Sequence, residues 1–384
     1  MIKAIINAQI VLDDSTRKGT ILIENERIIA VGTVIPPEHA EIIDARDYFA
    51  GPGFVDIHCH GGGDASSHLN PAKAAEHHLA SGTTSLLLSL GYSLSKEEFH
   101  QGIQFIREAI SGPPKNLFGI HFEGPYINPK YGASSDKAWI MNREDYVGLF
   151  HAAKGLVYQC TYAPEMPGAR TFAKYVREQG VALAVGHTEM SPAVLAEAME
   201  DGATIVTHLY DAMGCYLGPE SISCTGIIQD TAADAALAQE GLFIEMICDS
   251  RAIHVKPSNL KVAFRAAGPD YIVLITDATV RPHHAEQYPE GDIRSTPDLN
   301  FNEKGELSGS RLTMEQAVKN MKYYTGATIP ELFKMASTNP ARAVGVDNQV
   351  GTLEPGKLAN IILCDEKMDV KAVYFRGEQV KRKD

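Results

Sequence analysis

The sequence predicts an α/β fold: a (β/α)8 TIM-like barrel over residues 53–343, with a small β-sandwich domain built from both chain ends, 1–52 and 344–384. Three observations carry that expectation. Eight short apolar runs in the middle of the chain alternate with amphipathic, helix-like stretches. The middle segment is long enough for the ~250 residues that such a barrel occupies. Both ends instead carry short β-branched runs punctuated by Gly, Asp and Asn, the pattern of small strands.

Taken in order, AIINAQIVL (4–12), GTILIENERIIAVG (19–32) and AEIIDARDYFAGPG (40–53) predict small antiparallel strands. The barrel runs follow as GFVDIH, TTSLLLSL, NLFGIHFE, LVYQCTYAPE, VALAVGH, ATIVTHL, LFIEMICD and IVLITDA, the last ending at Ala278. Between them lie KEEFHQGIQFIREAI, TFAKYVREQG and SPAVLAEAMEDG, apolar on one helical face. The insertion between Asp277 and Leu312 is rich in Pro, Gly and His and reads as a loop over an active site. GTLEPGKLANIILCD and VKAVYFRGEQV then resume the style of the N-terminus, so the two ends are expected to share one β domain.

Composition narrows the function classes. Hydrophobic content of 44% and charged content of 22% are ordinary for a soluble globular protein of 384 residues. A net charge of −13 without basic runs argues against nucleic acid or an anionic membrane as partner, leaving a small-molecule substrate. The six cysteines (Cys59, Cys160, Cys215, Cys224, Cys248, Cys364) form no C-x-x-C pair, which speaks against a disulfide framework or a thiolate zinc site. A reducing, cytoplasmic setting is expected. The start, MIKAIINAQIVLDD, lacks a signal-peptide core, and runs such as SLLLSL fall far short of the roughly 20 residues that span a bilayer.

Barrel enzymes place their chemistry at the C-terminal ends of the strands. Here the first run closes on His58 and His60, the third on Glu123, the fifth on His187, the sixth on His208 and the eighth on Asp277. Residues i and i+2 of a strand share a face, so His58 and His60 converge, and Gly61 to Gly63 leave the space beside them open. Singly, each has a dull explanation: a capping aspartate, a hydrogen-bonded histidine, a solvated glutamate. Together, four imidazoles and two carboxylates from five strands would ring one mouth. Nitrogen and carboxylate donors without thiolate suit Zn²⁺, Fe²⁺, Co²⁺ or Mn²⁺. Asp56 and His121, two residues before His58 and Glu123, are expected to support ligands rather than act as ligands. Cys59 reads as a packed core thiol.

At PGFVDIHCHGGG (52–63), HFEGPYINP (121–129), GHTEMSP (186–192), THLYDAM (207–213) and TDAT (276–279), the chain resembles the amidohydrolase superfamily and, within it, the N-acetylglucosamine-6-phosphate deacetylase family. STNPARAVGV and GTLEPGKLANIIL resemble the return of such chains into their small β domain. The resemblance implies a metal-dependent deacetylase of an N-acetylated amino sugar, and a homodimer. It implies Glu123, His187 and His208 as metal ligands and Asp277 as both the catalytic aspartate and a metal ligand. It implies Asp211, Ala212, His254 and Ser134 as substrate contacts. One or two divalent ions per chain are expected, zinc first and Fe, Co or Mn otherwise, with His58 and His60 holding a second ion and Glu123 shared. The fourth run has no lysine, which fits this family's use of Glu123 in place of the carboxylated lysine of other superfamily members. Two rival readings remain: a hydrolase of another N-acyl or cyclic amide on the same scaffold, and a non-catalytic metal- or sugar-binding homologue.

The sequence departs from that family where a phosphate would sit. Asp211 stands where relatives carry asparagine, no Lys or Arg occurs between Leu209 and Ser250, and YGASS (131–135) lacks the histidine expected near Ser134. An ionised aspartate accepts hydrogen bonds only. Against a phosphate it repels by about 4 kcal/mol per charge pair at 4 Å and an effective dielectric near 20. Arg251, Lys256 and Arg281 are the alternative sources of positive charge. The expectation is an unphosphorylated sugar amide, with Asp211 accepting from hydroxyls or an ammonium group.

Overall fold

A computed structural model describes residues 1–112, 116–217, 226–280 and 285–380. Eight parallel strands run in chain order around one sheet: Phe54–Asp56, Thr83–Gly91, Leu117–Glu123, Val157–Tyr162, Ala182–Val185, Ala203–Val206, Phe243–Ile247 and Ile272–Ile275. We refer to them as the first to eighth barrel strands. The first and eighth meet just beyond their ends, where Asp277 N donates to His58 O (2.9 Å) and His60 N to Ala278 O (2.7 Å). Strands covered on both faces read as continuous apolar runs rather than alternating ones. TTSLLLSLG is the clearest case, buried at every position.

A helix follows each strand, from Pro71–Ala80 after the first to Met314–Thr325 after the eighth. Local chemistry sets their starts. Ser95 and Glu98 form a reciprocal capping box on Lys96–Ile110, and Ser191 caps Pro192–Glu200, which carries proline in its first turn. Alternate strand residues separate two cores. Leu86, Leu88 and Leu90 pack outward with Phe99 and Ile103 of the second helix. Val55, Leu87, Ile205, Ile247 and Val273 fill the barrel interior, joined by Val344, Val346 and Val350. That segment closes the N-terminal end of the barrel, where Asn339 Nδ2 donates to Ile272 O (2.7 Å) at the start of the eighth strand.

The chain ends do share one sheet, of eight strands, drawn from residues 2–52 and 361–379. Ile361–Cys364 pairs antiparallel with Phe49–Pro52 and welds the two ends together. The sheet is mixed rather than antiparallel throughout. Ile2–Val11 pairs antiparallel with Thr16–Glu24 but parallel with Glu41–Asp44 and Phe49–Pro52. After the hairpin of Thr16–Glu24 with Arg27–Gly32, residues 33–40 carry the chain back to the other edge of its first strand. Residue alternation sets which face a side chain takes, not which edge a strand joins. Gly51 marks the docking of this sheet on the barrel: a Cβ there would lie 2.2 Å from the Phe333 ring.

The insertion after the eighth strand is built rather than loose. Leu299–Phe301 and Leu307–Ser310 form a hairpin. Ser310 N donates to Asp277 O (2.8 Å), and Thr279 N to Ser310 O (2.9 Å), so the hairpin is anchored to the strand end that carries Asp277.

Candidate metal centre and active site

The side chains at the C-terminal ends of five barrel strands converge. Regular pairing of the first strand stops at Asp56, so His58 and His60 lie just past it rather than within it. Their Nε2 atoms still meet at 3.3 Å. Glu123 closes the third strand with its carboxylate in the middle of the cluster. Its Oε1 lies 2.9 Å from His187 Nε2, 3.2 Å from His208 Nε2 and 3.3 Å from His58 Nε2, while Oε2 lies 3.1 Å from His60 Nε2. Asp277 Oδ1 is 3.5 Å from both His58 Nε2 and His60 Nε2. Two donor groups result, His58–His60–Glu123 and Glu123–His187–His208, with Glu123 common to both.

Each buried imidazole is aimed by what its other nitrogen meets. His58 Nδ1 faces Glu245 Oε2 (3.1 Å), His187 Nδ1 faces Tyr131 O (3.1 Å), and His208 Nδ1 faces Asp211 O (3.2 Å). All three partners only accept, so Nδ1 carries the proton and the Nε2 lone pair points into the centre. Below the cluster lies a polar floor inside the barrel. His121 is held between Ser89 Oγ and Thr161 Oγ1, each at 2.9 Å, and Thr161 meets Thr207 at 2.8 Å. Asp56 accepts from Thr276 Oγ1 at 2.6 Å and from His58 N.

The field at the centre favours a cation. Burial works against an imidazolium at His58, yet the Asp277 and Glu123 carboxylates outweigh it and hold the group well above the ordinary histidine range. His208 behaves alike: burial is overcome by the hydrogen bond to Glu123 and the charge of Asp211, and its pKa rises to about 9. Burial disfavours the Glu123 carboxylate, but His60 and His58 hold it ionised, well below its usual range. His121 is pushed far down by burial and by His58, which suits a neutral, hydrogen-bonded support. The Nε2 atoms of His187 and His208 lie 3.0 Å apart, each within 3.2 Å of Glu123 Oε1, so the three donors can share one cation. Converging imidazole nitrogens around a shared carboxylate therefore fit a divalent metal ion.

Above the centre opens a cavity of about 420 Å³ that Asp211 and Ala212 help to line. Two of the sequence-predicted contacts lie elsewhere. Gly132 and Ala133 line the cavity rather than Ser134, whose left-handed backbone (φ 61°) starts a short 3-10 turn. His254 sits behind the wall, with Nδ1 against Asp249 Oδ2 (3.0 Å) and Nε2 against Gly309 O (3.2 Å). Arg251 and Lys256 are exposed and do not line the cavity; Arg281 and Cys224 fall outside the described residues. Cys59 is buried, as a packed thiol should be, and donates to Gly61 O. Sequence reasoning missed Glu245 and its partner Gln159. The signal was present: Glu245 is a carboxylate in the middle of the apolar run LFIEMICD, in step with the inward-facing Ile247.

The comparisons with known proteins agree with this geometry. A sequence model of the amidohydrolase family matches residues 49–380. The chain is similar to the N-acetylglucosamine-6-phosphate deacetylase of Bacillus subtilis (strain 168), 29% identical over 388 residues, covering 94% of this chain and 92% of that protein. Among solved structures it is similar to N-acetylglucosamine-6-phosphate deacetylase from Pasteurella multocida, with a TM-score of 0.85, 25% identity, and 99% and 100% of the two chains covered. The N-acetyl-D-glucosamine-6-phosphate deacetylase from Mycobacterium smegmatis gives a TM-score of 0.81 at 28% identity, with the same coverage. The family match spans the whole barrel and every residue of the histidine–carboxylate cluster, and the chain belongs to the amidohydrolase family.

Proposed function

We propose that the protein hydrolyses the acetamide of an N-acetylated amino sugar, releasing acetate and the free amine. The observation that carries this is the convergence of four imidazoles, Glu123 and Asp277 beneath a cavity rich in hydroxyl groups, among them Ser66, Ser67, Tyr92, Ser93, Thr279 and Ser308. The similarity to deacetylases of amino-sugar phosphates supports the acyl group. Glu123, His187 and His208 would hold one divalent ion, and His58, His60 and Glu123 a second. Zinc suits this borderline nitrogen and oxygen set best. A bound metal lowers the pKa of water toward about 7 and polarises the acyl carbonyl.

The chain's own groups do the rest. Asp277 stands beside both His58 and His60, where its carboxylate accepts the proton lost by the attacking water. It then returns that proton to the amide nitrogen as the C–N bond breaks, so the sugar leaves as a neutral amine. Glu245 keeps His58 in the Nδ1–H tautomer throughout. Asp211 and Ala212 contact the sugar, and His254 positions Gly309 in the wall.

A homodimer and a cytoplasmic setting complete the reading. Tyr216, Leu217, Ile227 and Ile228 are exposed apolar side chains that a second copy would cover. The five described cysteines are free thiols, as in a reducing compartment, and among the described residues no helix is long and apolar enough to cross a membrane. The test is acetate release from N-acetylglucosamine and its 6-phosphate by metal-loaded protein, by chelator-stripped protein, and after zinc is restored. Turnover that is lost and regained with zinc is expected. Loaded protein that releases no acetate from any N-acetyl hexosamine, but opens a cyclic amide, would replace this reading.

A further inference from the structure

Charge around the cavity is one-sided. Away from the histidine–Glu123–Asp277 floor, its described lining carries the carboxylates of Asp211 and Glu306 and no lysine or arginine. The chain offers none from Leu209 through Ser250 either. The cavity's histidines do not redress the balance. His60, His187 and His208 turn their Nε2 atoms inward onto Glu123, and burial lowers the pKa of His68.

Nearby cations are committed elsewhere. Lys130 Nζ meets Glu189 at 2.6 Å, and Arg251 Nη1 donates to Asp292 O and Thr296. Arg311 lines a neighbouring cavity together with Glu286 and Glu290. The two ring nitrogens of His254 are taken by Asp249 and Gly309 O. Asp211 spends Oδ1 on Ala212 N at 2.9 Å. Asn302 Nδ2 holds Glu306 Oε2 at 2.6 Å, fixing that carboxylate at the mouth.

Resting on amino-sugar deacetylation at this centre, we propose that the natural sugar carries no phosphate: Asp211 and Glu306 receive uncharged hydroxyls. A carboxylate accepts hydrogen bonds and donates none, so it pairs well with a sugar O–H. A phosphate ester carries about −1.5 to −2 charge at neutral pH. In a partly closed cavity it would meet like charge with no donor of opposite sign among the described residues.

Two measurements on full-length, metal-loaded protein test this. One is kcat/KM for N-acetylglucosamine against its 6-phosphate. The other is the affinity for the amine products, glucosamine against glucosamine 6-phosphate, by calorimetry, which needs no turnover. The unphosphorylated sugar should win by at least tenfold in both. Asp211→Asn should narrow each ratio at least fivefold by improving the phosphorylated partner. If the phosphorylated amine binds as tightly or more tightly in wild type, the inference is overturned whatever the turnover shows. If neither amide is hydrolysed but glucosamine still wins the binding comparison, the deacetylase reading falls and the charge inference stands. If neither amine binds, both fall.

Discussion

Replacing Glu245 by glutamine removes one buried negative charge with almost no change in volume. The carboxylate is fully buried; Oε2 faces His58 Nδ1 at 3.1 Å and Oε1 accepts from Gln159 Nε2 at 2.6 Å. An amide has a single acceptor, so its NH2 would oppose the Gln159 NH2. Gln159 can resolve the conflict by turning its own amide over, because its Oε1 is buried without a partner. The variant therefore keeps the fold and a neutral hydrogen bond to His58. What it loses is the charge. Charge-assisted hydrogen bonds contribute about 1.5–3 kcal/mol against about 0.5–1.5 for neutral ones, a difference of roughly 1–1.5 kcal/mol, or about tenfold in an equilibrium constant. That lies at the lower end of the 10–100-fold typical of groups that orient metal ligands.

Glu245→Ala goes further, leaving the His58 N–H and the Gln159 amide without an acceptor at about 1–3 kcal/mol each. It should approach a 100-fold loss. The assay is competition for zinc against a fluorescent chelator, fitted to two sites. Only the site built on His58 and His60 should loosen, by about tenfold for Glu245→Gln and about 100-fold for Glu245→Ala. Unchanged affinity within twofold for both variants, or equal loosening of both sites, would refute the orienting role.

Three further outcomes follow from the same geometry. Asp277→Asn should retain its metal yet lose about 10²–10⁴-fold in turnover, since a carboxamide cannot carry the proton; more than a tenth of the wild-type rate would exclude Asp277 as the shuttle. Elemental analysis should find His58→Ala short of one metal relative to wild type, and His187→Ala should abolish most activity, because His187 belongs to the other donor group. Burial, partly offset by the Nε2 hydrogen bond to Gly61 O, lowers the pKa of His78 from 6.5 to about 4. Between those values the unfolded chain binds more protons than the folded one, so stability rises with pH across that window. The full difference is about 3 kcal/mol. Urea midpoints of wild type minus His78→Gln should show this slope between pH 4 and 6.5, and a pH-independent difference would contradict it.

The barrel and its mouth were legible because each rests on a short-range rule. Parallel strands buried on both faces write continuous apolar runs, and the rule that chemistry sits at their C-terminal ends turned five run endings into one cluster. What failed to show depends on contacts far apart in the chain. Parallel pairing of Ile2–Val11 with Glu41–Asp44 is a choice of sheet edge, invisible to alternation. Glu245 acts on His58 across the barrel interior, 187 residues away in sequence.

Left-handed backbone also explains how strand ends become a converging donor cluster. His187, His208 and Asp277 all have positive φ, at 49°, 27° and 45°, although none is glycine. Such conformations cost about 1–3 kcal/mol each and persist only where the surroundings over-determine them. Here the surroundings can be named. His187 Nδ1 holds Tyr131 O, His208 Nδ1 holds Asp211 O, and the Asp277 backbone is clamped between His58 O and Ser310 N. A strand that continued straight would send these side chains on alternately, one in and the next out. The turn breaks that alternation where the ligand must be aimed. The hydrogen bonds that compensate the turn are the ones that choose the tautomer, so at His187 and His208 a single contact both holds the backbone and frees the Nε2 lone pair. The loops after the strands are thus working parts of the centre. A substitution that only relaxed the turn, without touching a ligand atom, would still disperse the donor set.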